Sequence, residues 1–435
     1  MPEGRSGPVV PEYGPLAGVR VLESARYVAG PWASTYLGEF GAEVVHVEGP
    51  PFSPPYADPT RTLTPLLEST HGGARVSESW VQYGRNKLSV GLDVRQAAGR
   101  EVFLDLVRAS DIWIESSRPG TYDRLGLSDQ KVWEANPRLT IVHISGYGQT
   151  GRPERLEAPS YDLTAQAYSG YLALQGEPDP SPPARSGTAL NDTVTGLASA
   201  TAALMGYVNA QRTGRGQSVD VAQYEVFFVL LENLALDFFA RGVVRGRHGS
   251  AHPRLHPYDL HQARDGWVVV AAPTPSAFRR LREALGLDDP RLDEDAYRLA
   301  HREPVDRAIA ALCAQRTCEE LEAFGREHDV AIERVRTVDQ LAHDPHYAER
   351  GMFVEWEDPV AGKVKGAGIA PKFSGTPGKV WRGAPWLGQD NEVVLGRLLG
   401  YDRSRIEALR RDGVLGEDPP SRSRKPTQAS PERTR

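Results

Sequence analysis

Short apolar runs separated by amphipathic stretches dominate the first third of the chain. Val19 to Leu22, Glu43 to Glu48, Leu88 to Leu92, Asp111 to Ile114 and Leu139 to Ile144 are rich in Val, Ile and Leu. Runs of that length and composition read as strands buried on both faces. Gly30-Pro31 opens a helical run, Trp32 to Phe40, that stops at Gly41. The stretch Gln96 to Ala109 places Val102, Phe103, Leu106 and Val107 on one helical face, and Pro119 to Leu125 reads as a helical turn. Strands alternating with helices predict parallel crossovers, hence an α/β, doubly wound layer. Ligands in such sheets collect at the carboxyl ends of the strands, which points to the loops after Leu22, Glu48, Ile114 and Ile144.

A long helix rich in small residues is predicted from about Asp192 to Arg212, ended by Thr213-Gly214. The most apolar stretch, Val226 to Phe239, predicts a buried helix. Near Gly242 the pattern changes. Tyr258 to His261 and Trp267 to Ala271 flank Asp265-Gly266 as a hairpin. Helices follow at Pro275 to Leu285, Pro304 to Ala314 and from Thr317, where Thr317-Cys318-Glu319-Glu320 forms a capping box. Extended Gly/Pro-rich pieces come after Pro345, then a helical pair, Asn391 to Leu399 and Ser404 to Arg411. The expected organisation is a disordered N-terminus (1–13), a large domain (14–222), a linker helix (223–248), a smaller α+β domain (249–345), an extended linker (346–388), a return to the large domain (389–416) and a disordered tail (417–435). The Pro-rich loop from Gly49 to about Ser79 suits a lid or a dimer arm.

At 435 residues the chain exceeds one compact core, which supports two domains. Hydrophobic residues make up 40% and charged residues 25%, a soluble globular balance. The net charge of -6 argues against a nucleic-acid footprint but not against a local cationic pocket. Two cysteines, Cys313 and Cys318, fit a reducing compartment and match no zinc spacing, so no metal site is expected. The N-terminus has no apolar signal region, and Glu232, Asn233 and Asp237 interrupt the apolar stretch, so neither secretion nor a membrane span is expected. The cytoplasm is the expected location.

Two motifs mislead. Gly146-Tyr147-Gly148-Gln149-Thr150-Gly151 satisfies the dinucleotide fingerprint, but Arg152-Pro153 follows where a phosphate-binding helix should begin. A Gly-rich active-site loop fits better. His252-Pro253-Arg254-Leu255-His256-Pro257-Tyr258 cannot place its histidines on one helix face, and no third ligand stands nearby.

Asp192 carries the chemistry. It stands at the start of the long helix, where the macrodipole favours the ionised carboxylate. Two roles are open to it: an N-cap, or a covalent nucleophile toward an activated acyl group.

Pro15 to Leu22, Ala29-Gly30-Pro31, Gly41 to Val45, Asn86 to Val90, Arg118-Pro119-Gly120, Asp123 to Leu127, Ser145 to Gly148, Arg212 to Gln217 and Ala384 to Gly388, in this order and spacing, resemble the class III CoA-transferases (CaiB/BaiF type). The resemblance runs from about Pro15 to Leu415. Ala165 to Leu172, Pro371-Lys372-Phe373 and Trp381-Arg382-Gly383 look most like the L-carnitine branch of that family. The resemblance implies an interlocked homodimer of ring-like monomers, each with a Rossmann-like large domain and a small domain. It implies Asp192 as the residue that attacks the acyl-CoA thioester, with acyl-CoA and a carboxylic acid, carnitine- or betaine-like or another small organic acid, as substrates. No permanently bound cofactor is implied. Lys87, Arg118 and Arg124 match positions for the phosphate-bearing end of CoA, Ala29 a backbone position near the thioester, and Tyr147 an active-site tyrosine. Tyr258 fits packing in the hairpin, and Trp32, Tyr161 and Tyr168 are candidates to face a carnitine-like cation. Val28 stands where some members carry a catalytic glutamine, and the region His252 to Tyr258 lacks the glycines some members have.

Two other functions compete. A 2-methylacyl-CoA racemase shares the fold, but its His-Asp pair is replaced here by Tyr161-Asp162, and tyrosine is too weak a base at neutral pH. A non-catalytic CoA-binding protein would not need an intact Asp192.

Overall fold

The apolar runs become the strands of one sheet. In a computed structural model of the chain, which describes residues 7–51, 57–68 and 74–419, β1 (Arg20–Glu23), α1 (Ala29–Glu39) and β2 (Glu43–Glu48) come first. A hairpin, β3 (Leu66–Glu68) and β4 (Arg75–Ser77), and α2 (Glu78–Tyr83) lead to β5 (Lys87–Leu92), α3 (Ala97–Ala109), β6 (Ile112–Glu115), α4 (Thr121–Arg124), α5 (Asp129–Ala135) and β7 (Thr140–Ser145). Then come α6 (Pro153–Leu156), α7 (Asp162–Tyr168), the long α8 (Leu190–Thr213), β8 (Ser218–Ala222) and α9 (Gln223–Val229). The strand order is β14-β5-β2-β1-β6-β7-β8, with β14 the short strand Leu415–Gly416. All neighbours are parallel except β14, which runs antiparallel to β5. The chain moves outward from β1 through β2 to β5, then returns to β6 on its other side. β1 and β6 therefore flank a topological switch point.

Both sheet faces are covered. On one, α3 buries Val102, Phe103, Leu106 and Val107 against Leu22, Val45 and Trp113. Each fully buried side chain of this kind contributes roughly 1.5–3 kcal/mol. On the other, Ala29, Ala33 and Leu37 of α1 meet Ala200 and Ala203 of α8. Small residues in α8 are what let the two helices approach. A Cβ on Gly196 would lie 2.7 Å from the Ala29 carbonyl oxygen and 2.8 Å from Trp32. Gly214, at φ 74°, ends α8 in the left-handed conformation that favours glycine.

The chain divides into two units. The first comprises Met1–Ser169, Ser186–Glu232 and Arg350–Arg435, the second Gly170–Arg185 and Asn233–Glu349. In the second, α10 (Leu234–Arg241) precedes the hairpin β9 (Tyr258–Gln262) and β10 (Trp267–Ala271), and β11 (Ala331–Arg334) completes an antiparallel sheet of order β11-β10-β9. Helices α11 (Pro275–Ala284), α12 (Asp295–Ala300), α13 (Glu303–Ala314) and α14 (Cys318–Glu327) pack Phe278, Leu281, Val305, Ile309 and Leu321 onto it. The Thr317 capping box forms, with Thr317 and Glu320 satisfying each other's backbone N–H. Cys313 and Cys318 are free and buried. α15 (Val338–Ala342) and α16 (Pro345–Glu349) close this unit.

Several expectations change. The segment 223–248 is not one buried helix but α9 and α10, broken around Glu232, whose φ of 50° cannot continue a helix. Its apolar residues are largely exposed: Val229 at 73%, Phe239 at 83% and Val244 at 80%. Residues 170–185 group with the second unit. The stretch 346–388 contains a hairpin, β12 (Phe353–Asp358) and β13 (Gly362–Ala367), and a π-type turn spans Val393–Leu398 before α17 (Arg403–Arg411). The Pro-rich loop is a short 3-10 turn, Pro59–Thr62, followed by the β3–β4 hairpin; residues 52–56 and 69–73 of it, and the tail beyond 419, lie outside the described residues. Among the described residues no helix is long and apolar enough to cross a membrane.

Candidate active site

The first turn of α8 has no cap of its own. Its N-cap residue is Ala189, which offers no side-chain acceptor. Asp162, at the start of α7, supplies one instead. Its Oδ1 accepts the backbone N–H of Asn191 at 2.8 Å and of Asp192 at 3.2 Å. Gln166 anchors the other oxygen, donating at 2.6 Å to Asp162 Oδ2 and at 3.0 Å to Ser186 Oγ. Asp192 is therefore the third residue of the helix and not its cap. Its carboxyl group is freed for another purpose.

That group sits in a cavity of about 300 Å³ built by the loops after β1, β6 and β7. Arg26 to Ala29, Ser116 to Pro119 and Ile144 to Gly148 form three walls, and Pro159, Ser160, Tyr161, Asp192 and Gln223 close the fourth. The cavity thus opens at the carboxyl ends of the strands, at the switch point, where open α/β sheets hold ligands. Gln223, the first residue of α9, donates its amide N–H to Asp192 Oδ1 at 2.5 Å. Oδ2 takes no hydrogen bond from any described residue.

The helix terminus does not keep Asp192 ionised in the ordinary acidic range. Burial pushes its carboxyl up to about 7, the nearby Asp162 carboxylate adds to the rise, and the Gln223 amide opposes it. The helix terminus does not offset this burial, because the N–H groups of Asn191 and Asp192 are already taken by Asp162. The same field, after burial, raises Tyr83.

Ala29, Arg118 and Tyr147 stand with Asp192 on the cavity wall. Lys87 does not. It is fully buried, with Nζ 2.9 Å from Glu23 Oε2 and 2.9 Å from the Pro31 carbonyl oxygen. Burial pulls its amine below the usual range while Glu23 opposes the shift. A lysine held this way cannot meet a phosphate in solvent. Arg124 is exposed on α4, donates to Thr121 Oγ1 and lies off this wall. Val28 and Tyr161 line the cavity. Tyr168 packs against Tyr147 and Tyr224, with ring centroids at 5.2 and 4.9 Å, and the Arg155 guanidinium lies 4.5 Å over Tyr168 and 5.6 Å over Tyr147. Trp32 packs on Tyr36 and Tyr83. Tyr258 lies on β9 in the second unit.

Sequence reasoning missed Gln223 and Arg26 altogether and weighed Asp162 only as half of a racemase pair. Gln223 carries a faint signal: it follows the β8 run and opens an apolar helix. Nothing in the sequence ties it to Asp192.

The chain matches the model of CoA-transferase family III over residues 16–391. It is 37% identical over 414 residues, 93% of this chain and 90% of the other, to the bile acid CoA-transferase BaiK of Clostridium scindens. A solved CAIB/BAIF family protein from Brucella suis superposes with a TM-score of 0.77 at 30% identity, covering 89% of this chain and all of that one. Rv3272 of Mycobacterium tuberculosis shares the fold, with a TM-score of 0.75 at 25% identity, covering 88% of this chain and 99% of that one. The chain belongs to CoA-transferase family III and is an enzyme of the CaiB/BaiF type.

Proposed function

We propose that the protein moves CoA from an acyl-CoA thioester to a carboxylic acid with Asp192 as the covalent carrier. Asp192 Oδ2 attacks the thioester carbonyl carbon, the C–S bond breaks, and CoA leaves as the thiolate with the bonding pair. The thiolate then attacks the aspartyl carbon of the mixed anhydride. The first acid departs as its carboxylate, leaving an aspartyl-CoA thioester. The second acid repeats the two steps in reverse, taking CoA and restoring the Asp192 carboxylate. The chemistry needs an ionisable carboxylate, donors for the tetrahedral oxyanions and shelter from water. One observation carries the reading: a half-buried carboxyl with an unengaged oxygen on the wall of the switch-point cavity. Arg26 and Arg118, which line the same cavity, suit the anionic CoA chain. Incubation with an acyl-CoA and quenching with hydroxylamine should modify Asp192, as read by peptide mass, and D192A should abolish transfer while CoA still binds. An unmodified Asp192 would end the proposal.

The racemase alternative is disfavoured because the Asp162 carboxylate is engaged by two backbone N–H groups and by Gln166. Proton exchange at the α-carbon in deuterated water, without acceptor acid, tests it.

The tyrosine cluster supports a reading of the acid. Arg155 already occupies the ring faces of Tyr147 and Tyr168, so a trimethylammonium group there meets like charge. That supports an uncharged, apolar acyl body over a carnitine- or betaine-like one, in keeping with the named substrate of BaiK. Competition between carnitine and an uncharged acid of similar size, in wild type and R155A, tests it: R155A should lessen the discrimination. We further propose that a second copy of the chain covers the exposed apolar residues between Phe228 and Val244; light scattering reporting a monomer at micromolar concentration would refute this.

A further inference from the structure

Gln223 is held by three polar contacts. Its Nε2 donates to Asp192 Oδ1, its Oε1 accepts from Ser160 Oγ at 3.4 Å, and its backbone carbonyl accepts from Asn191 Nδ2 at 3.2 Å. The Asp192 carboxylate fixes which end of the amide faces it, because an ionised carboxylate only accepts and so takes the N–H end, leaving Oε1 toward the Ser160 hydroxyl. The side chain is buried, yet it lies on the cavity wall beside Asp192. Val28, on the facing wall, offers no side-chain donor.

This arrangement makes the two oxygens of Asp192 unequal. Oδ1 is held by an amide; Oδ2 is not. The unheld oxygen has the available lone pair and becomes the bridging oxygen of the anhydride. Oδ1 then remains as the carbonyl oxygen of the aspartyl carbon. When the CoA thiolate attacks that carbon, the C=O pair moves onto Oδ1, and the negative charge develops where the Gln223 N–H already points.

We propose that Gln223 is a catalytic donor for this reaction. It selects Oδ2 as the attacking atom and stabilises the oxyanion on Oδ1 each time sulfur adds to, or leaves, the aspartyl carbon. The inference rests on Asp192 being the covalent carrier.

The surroundings explain why a neutral donor suits the place. Asp162 from α7 lies close enough to repel a second anion, Tyr83 from α2 feels the Asp192 charge, and Glu225 shares α9 with Gln223. Arg26 and Arg118 are the cations on the cavity wall. An amide donates without adding charge, so it steadies the oxyanion while leaving the ground-state carboxylate near neutral pH, a good range for a nucleophile.

The test uses the full-length protein with an acyl-CoA and an acceptor acid, and three variants. Q223L removes the donor at similar volume. Its kcat should fall about 10²- to 10³-fold, the usual loss for one oxyanion donor, with KM for acyl-CoA within about threefold of wild type. The pH midpoint of kcat/KM should move to higher pH, because the amide no longer favours the Asp192 carboxylate. A purely structural glutamine would not move that midpoint. Q223E keeps the shape and adds a charge, so its activity should survive only on the acid side, where the new carboxyl is protonated and can donate. Q223H, with a ring N–H in reach, should recover part of the Q223L loss. If Q223L folds and retains kcat within threefold with an unmoved pH profile, the inference is wrong. If Q223L does not fold, Q223E decides alone, and a wild-type pH profile in Q223E refutes it. Hydroxylamine trapping in the wild type separates the two readings. No label on Asp192 overturns the covalent carrier. A label on Asp192 with indifferent Gln223 variants overturns only the role of Gln223.

Discussion

Replacing Asp192 by Asn should destroy activity and stabilise the fold, and the gain should grow with pH. An unfolded aspartate titrates near 3.8, whereas in the fold Asp192 titrates at about 7. Below the lower value both states hold the proton and the shift has no effect on stability. Between the two, the unfolded chain loses its proton while the folded protein keeps it, so unfolding becomes easier by about 1.4 kcal/mol per pH unit. Stability held by the protonated group is thus fully present below 3.8 and is lost as pH rises through 7. The whole interval amounts to about 4 kcal/mol, and the stretch above pH 5 to about 2.7 kcal/mol. Solvent reaching the carboxyl through the cavity mouth trims the latter to roughly 1–2 kcal/mol. Asparagine keeps an Oδ1 that can accept from Gln223 and carries no charge. Urea unfolding of wild type and D192N, followed through the transition of the first unit at about pH 5 and pH 8, reads the difference. D192N should exceed wild type, and the gap should widen by that amount at the higher pH. On the same grounds wild-type kcat/KM should rise about tenfold per pH unit below 7 and flatten above it. A gap that is equal at both pH values, or a D192N less stable than wild type at pH 8, would show that Asp192 is an ordinary ionised carboxylate at a helix terminus, and the electrostatic account given for it would fall.

Lys87→Met should cost up to about 3–5 kcal/mol in urea unfolding, because it removes one of the two cationic partners, Lys87 and His46, of the buried Glu23 carboxylate; a variant of wild-type stability with only a raised KM for CoA would instead assign Lys87 to phosphate binding. Gly196→Ala drives a methyl group into the Ala29 carbonyl and Trp32, so it should lower stability by about 1–3 kcal/mol and also reduce kcat, since α8 carries Asp192; unchanged melting would mean that α1 and α8 are not in close contact. Asp162→Asn preserves an acceptor for the helix N–H groups but removes the charge beside Asp192, so the pH midpoint of kcat/KM should move toward acid; an upward movement would refute that coupling.

What the sequence reveals and conceals follows from the range of the forces involved. Five strands and the long helix α8 were legible because burial on both faces, or on one helical face, leaves a local imprint on residue order. Asp192 was legible as a candidate because the start of α8 is a local signal too, yet that signal supports the wrong electrostatics. Whether its carboxylate enjoys the helix N–H groups depends on Asp162, thirty residues earlier, and whether it is held depends on Gln223, thirty-one residues later. Polar pairs at such separations have no periodic trace, since a single hydrogen bond constrains two positions and nothing between them. Lys87 shows the same limit from the other side. A lysine opening a strand reads as a surface cation, and only Glu23, on the second strand over, turns it into a buried ion pair. The stretch from Val226 to Phe239 shows a third. Hydrophobicity records that a surface is kept from water; it does not record what covers it. Among the described residues Phe228, Val229, Leu230, Leu236, Phe238 and Phe239 stand exposed while Phe227 and Leu231 are buried, so the run mixes core-facing and solvent-facing positions that hydrophobicity alone does not separate.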